Sequence, residues 1–82
     1  MLDFEWTGRN PADENDRQRG INAAQDYCAL HSINPAKVYA ATCTDDPAQS
    51  DVDAWSAIEG AAISAMCSDW QSEPENVSLI WL

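Results

Sequence analysis

Leu2-Asp3-Phe4-Glu5-Trp6 alternates apolar and acidic side chains with a period of two, the pattern of a β-strand with one face buried and the other wet. Thr7-Gly8 ends it. At the other end of the chain, Val77-Ser78-Leu79-Ile80-Trp81-Leu82 reads as a second strand, apolar on both faces except at Ser78. A strand of that kind is usually interior or pairs with another chain. Between these strands the periodicity is helical. The expected fold is therefore α+β, two main helices on a small sheet formed by the N- and C-terminal strands, with a third strand or short helix near Val38.

The first helix has a clear start: Asn10 as N-cap, Pro11 at the first helical position, and Asp13 and Glu14 in the first turn. Ile21, Ala24 and Cys28 then recur at helical spacing, and Ala23, Tyr27 and Leu30 widen the apolar stripe over about 20 residues. Gly20 weakens its middle by ~1 kcal/mol relative to Ala. Asn34-Pro35 breaks it, because the residue before a proline is pushed out of the helical region. Residues 36–43 fit an internal strand or a short helix, and the alanines and the Asn34-Pro35 cap favour helix. After the turn Thr44-Asp45-Asp46-Pro47, Ser50 with Asp53 three residues later approaches a capping box. The helix it opens is expected from Asp51 to about Gln71, burying Val52, Trp55, Ile58, Ala62, Ala65 or Met66, and Trp70. Its small-residue run Gly60 to Ala65 admits a close neighbour. Glu73-Pro74-Glu75-Asn76 is a second acidic turn.

An 82-residue chain is expected to form one domain, monomeric or homodimeric. With 45% hydrophobic residues and four Trp, it is too apolar for a disordered acidic tail. No cationic and apolar leader opens it, and no apolar run approaches the ~20 residues of a membrane span, so the expected setting is the cytoplasm, away from membranes. Three cysteines at wide spacings, Cys28, Cys43 and Cys67, argue against a secreted disulfide framework.

Charge is distributed unequally. Arg9, Arg17, Arg19 and Lys37 are the only cations, so the 45 residues from Val38 onward hold eight acids and no Lys, Arg or His. The net charge is −10. Spread over roughly 4,900 Å² of surface, such charges would stand farther apart than the ~8 Å screening length, so only clusters project a useful field. The clusters are Asp13, Glu14 and Asp16; Asp45, Asp46, Asp51 and Asp53; and Glu73 and Glu75. Each sits at a helix start or turn, where capping alone explains one or two acids. The surplus suggests an anionic surface for an Arg/Lys groove, since strand neighbours ~6.6 Å apart and helical neighbours ~5–6 Å apart approximate nucleic-acid charge spacing.

Catalytic signatures are lacking. His31 has no nucleophile elbow or glycine-rich phosphate loop around it, and Cys28 one turn away on the same helix leaves little room for a substrate. Cys28 and His31 do form a C-x-x-H pair that Cys43 and Cys67 would extend to a Cys3His set. Structural zinc sites typically pair two short-spaced motifs, so buried thiols are the preferred reading and no metal or other cofactor is expected. Trp70 and Trp81, beside the second acidic turn, are candidate interface anchors.

In its small size, acidity, aromatic content and acidic clusters, the chain resembles phage-encoded inhibitors such as anti-CRISPR proteins and other DNA mimics. That resemblance implies a non-enzymatic viral protein acting in the host cytoplasm by occupying the basic nucleic-acid-binding surface of a protein or ribonucleoprotein complex, without itself binding nucleic acid. The alternative is a structural or assembly module, a small dimeric subunit joined through the C-terminal strand.

Overall fold

A computed structural model describes residues 1–6, 14–66 and 77–82. Strand β1 (Leu2–Trp6), helices α1 (Glu14–Leu30), α2 (Pro35–Thr42) and α3 (Gln49–Ser64), and strand β2 (Val77–Trp81) follow in that order. The fold is α+β, and its sheet is the antiparallel pair β1–β2, with Leu2 opposite Trp81 and Phe4 opposite Leu79. The two ends of the chain close the ladder. The Met1 ammonium donates to Leu82 O at 2.7 Å, and Leu82 N–H donates to Met1 O at 2.8 Å.

Alternation in β1 does what its period requires: Leu2 and Phe4 are buried, while Glu5 is exposed. In β2, Val77 and Leu79 face the core, and Ser78 and Leu82 are exposed. Only one face of β2 is therefore interior, and its partner strand is supplied by the same chain. Helices α1 and α3 pack on each other and on this sheet, and α2 packs on α3. The core joins Leu2, Phe4, Val77 and Leu79 to Ile21, Ala24 and Cys28 of α1 and to Trp55, Ile58, Ala62 and Met66. Ile58 and Leu79, each at most 1% exposed, contribute about 1.5–3 kcal/mol apiece by burial.

Gly20 is where α1 and α3 meet. A Cβ there would stand 2.9 Å from Phe4 Cζ, 3.0 Å from Met66 Cγ and 3.1 Å from the Ala62 carbonyl oxygen. The missing side chain permits a close approach that a propensity argument alone treats as a defect. Gly60, in the small-residue run of α3, has nothing within 4 Å of its Cβ direction, so Ala62 rather than Gly60 is the approach point.

Helix ends differ from expectation in instructive ways. The Asn10 cap lies outside the described residues. The 36–43 segment is helical: Asn34 Oδ1 accepts from Ala36 N–H at 3.1 Å and Lys37 N–H at 3.4 Å, with Pro35 at the first position. Helix α1 closes in a Schellman motif, Ile33 N–H to Cys28 O and Ser32 N–H to Ala29 O, which puts Ser32 at φ 55°. Helix α3 begins before Ser50. Its N-cap is Ala48, whose carbonyl accepts from Asp51 and Val52 N–H and whose side chain offers no cap. Extended backbone at Ala48, directly after Pro47, lets the helix start two residues earlier than the Ser50 box. It also ends earlier, at Ser64 instead of near Gln71. Bonds from Ala65 N–H to Ala62 O and from Met66 N–H to Ile63 O tighten the last turn, and Met66 enters the core. Leu30 is a further correction. It is 80% exposed, because two residues beyond Cys28 lie about 200° around the helix from the buried stripe.

Candidate acidic interface

The four acids of the middle cluster lie near the α2–α3 corner, set there by the way α2 stops. Cys43 N–H bonds to Ala40 O at 3.2 Å, Thr44 Oγ1 donates to Ala41 O at 3.3 Å, and the chain then turns through Asp45 and Asp46 into α3. Asp45 and Asp46 are exposed. Asp53 is exposed too, with Oδ1 accepting from Gln49 Nε2 at 2.9 Å, and Asp51 in the first turn is half-buried. All four belong to one turn and the helix start that follows it, where unpaired backbone N–H groups favour negative charge.

Two cations of α1, Arg17 and Arg19, are neutralised within the fold. Arg17 Nε donates to Asp3 Oδ1 at 3.0 Å, Arg17 NH2 pairs with the same oxygen, and Arg17 NH1 meets Glu14 Oε1 at 2.7 Å. The Asp3 carboxylate, chiefly by hydrogen bonding, raises the Arg17 pKa above its ordinary value. Arg19 NH1 pairs with Asp16 Oδ1 at 3.0 Å. Among the described residues, no ion pair reaches Asp45, Asp46, Asp51 or Asp53. Lys37 is exposed near the start of α2, at the far end of that helix from Asp45.

This separates the acids proposed from sequence. Asp45, Asp46 and Asp53 stand in solvent beside half-buried Asp51. Glu14 is exposed but bonded to Arg17. Asp16 is only 5% exposed and paired with Arg19, so its carboxylate serves the fold. Asp13, Glu73 and Glu75 lie outside the described residues, as does Trp70. Trp81 is half-buried against the core. Sequence reading could not sort Asp16 from Glu14, because the period that places Asp16 in line with Gly20, Ala24 and Cys28 is carried by residues it does not resemble.

The thiols divide as well. Burial pushes the Cys28 thiol up, whereas Cys43 is exposed, and the His31 ring lies over Tyr27 at 4.2 Å between centroids. Cys67 lies outside the described residues. Among the described residues no three His, Cys, Asp or Glu side chains gather as metal ligands, and no helix is long and apolar enough to cross a membrane.

No protein-family model, curated protein or solved structure matches the chain.

Proposed function

We propose that the protein is a non-enzymatic acidic inhibitor that binds the basic, nucleic-acid-binding surface of a protein or ribonucleoprotein complex, in the manner of DNA mimics and anti-CRISPR proteins. Its setting would be the cytoplasm, that of the host if the protein is phage-encoded. The observation that carries this reading is the exposed acidic corner Asp45, Asp46 and Asp53, with no counter-cation among the described residues, while Arg17 and Arg19 are each engaged by acids of their own. A carboxylate without an internal cation beside it keeps its field for an external one. Asp45 and Asp46 would lead the contact and Asp51 and Asp53 extend it, with Glu14, Glu73, Glu75 and Asp13 as secondary contributors.

Affinity capture from a nucleic-acid-rich lysate, with and without nuclease, identifies the partner, and titration against salt then tests the mechanism. Binding should weaken steeply with ionic strength, and the double substitution Asp45→Lys/Asp46→Lys should slow association. Salt-independent binding that survives this double substitution would sink the proposal.

A further inference from the structure

Every strand in a two-stranded sheet is an edge, and an unguarded edge is a template for another chain. The hydrogen-bonded pair Met1–Leu82 sets the alternation of the ladder, so Asp3–Ile80 and Glu5–Ser78 are the bonded pairs, and the N–H and C=O of Leu79 point away from β1. Both groups are occupied from α3. Glu59 Oε2 accepts from Leu79 N–H at 2.9 Å, and Trp55 Nε1 donates to Leu79 O at 3.1 Å. Residues four apart on one helix face thus reproduce the donor and acceptor that a neighbouring strand would present. The Trp55 ring also packs against Tyr39 of α2, centroids 4.9 Å apart. On the opposite edge, Phe4 N–H also points outward, and it donates to Asp3 Oδ1 at 2.8 Å, the oxygen that Arg17 grips.

The strand being guarded is hazardous by composition. Val77-Ser78-Leu79-Ile80-Trp81-Leu82 has six residues, no charge, no proline and no glycine, the profile of a segment that pairs with copies of itself. Its outward face keeps Leu82 68% exposed and Ile80 half-buried.

We infer that Trp55 and Glu59 form an autoinhibitory edge guard: by occupying the backbone of Leu79 they prevent β2 from pairing with β2 of a second copy. This rests on the sheet geometry and not on the acidic corner, so either reading can fail alone.

The test compares wild type, Glu59→Gln, Glu59→Ala and Trp55→Phe/Glu59→Ala by sedimentation from micromolar to near-millimolar concentration, with amide exchange at Leu79 as the local readout. Glutamine keeps an acceptor oxygen, and phenylalanine keeps the ring against Tyr39 while losing the donor. Wild type and Glu59→Gln should stay monomeric. The double variant should show an about twofold rise in mass with concentration, and its Leu79 amide should exchange about tenfold faster when dilute and slow again as it associates. Adding Ile80→Lys, a charge on the outward face, should return it to monomer. The proposal is overturned by a double variant that keeps its helical signal and stays monomeric, by association that Ile80→Lys does not relieve, or by a wild type already paired through Leu79. Should the double variant unfold, Glu59→Ala decides by the same criteria, and its unfolding beside a folded Glu59→Gln would show a purely structural contact and overturn the guard.

Discussion

The two helical glycines should respond to the same substitution with opposite signs. Each Gly→Ala change removes backbone freedom from the unfolded chain and gains ~1 kcal/mol of helix propensity. At Gly60, which is exposed and meets nothing within 4 Å, that gain stands alone. At Gly20 the added methyl would lie 2.9 Å from Phe4 Cζ and 3.1 Å from the carbonyl oxygen of Ala62. The Phe4 ring and the Met66 side chain can yield a little, but the Ala62 oxygen belongs to the backbone of the facing helix. Overpacking of this kind costs ~1–3 kcal/mol, so Gly20→Ala should be destabilising by about 1 kcal/mol net. For a domain of this size, 1 kcal/mol moves Tm by about 4–8 °C, which puts the two variants roughly 8–16 °C apart. Thermal melts followed by circular dichroism, checked by urea titration with an unchanged m-value, measure the gap. A Gly20→Ala variant as stabilised as Gly60→Ala would refute the close α1–α3 crossing.

Ser32→Gly should stabilise the fold by roughly 0.5–1 kcal/mol in urea titration, because glycine accepts the left-handed φ of 55° that the α1 terminus demands. Ala48→Ser should add ~1 kcal/mol by capping α3, while Asn34→Ala should cost ~1 kcal/mol by uncapping α2. Of the two described thiols, Cys43 should be alkylated rapidly in the native state and Cys28 only on unfolding, which mass spectrometry of timed quenches resolves. Burial raises Cys28 and Tyr39 above their ordinary values of 9.0 and 10.0. Their folded pKa exceeds the unfolded one, so their contribution is complete below pH ~9 and declines as pH rises above it. Denaturant midpoints should therefore fall on the alkaline side, and a flat profile there would count against a buried thiol at 28 and a half-buried phenol at 39.

Much of the architecture was legible in local chemistry. The alternation of Leu2 to Glu5, the Asn34-Pro35 cap and the Trp55–Ile58–Ala62 spacing each encode their element in a few residues, and the structure keeps all three. What escaped was tertiary. Ser50 and Asp53 carry the letters of a capping box, yet Ala48 takes the position because the extended chain after Pro47 reaches helical geometry sooner. Gly20 looked like a weak point of α1 and is its contact with α3. Asp16 and Glu14 look alike in sequence, but one is buried against Arg19 and the other is exposed. The apolar β2 suggested an interior strand or a second chain, since nothing local reveals that Trp55 and Glu59, 24 and 20 residues before Leu79, hold its edge.

That division also makes the acidic corner testable. Asp3, Asp16 and Glu59 hold the fold through Arg17, Arg19 and the Leu79 backbone, so replacing them confounds stability with recognition. Asp45 and Asp46 are exposed, and no ion pair among the described residues reaches them. Removing exposed charges of this sort usually alters stability by no more than ~0.5 kcal/mol. Reversal there should even relieve some repulsion in a chain of net charge −10. Lost binding by a fully folded Asp45→Lys/Asp46→Lys variant would therefore report the partner contact itself, whereas the same loss from an Asp16 variant would leave folding and recognition entangled.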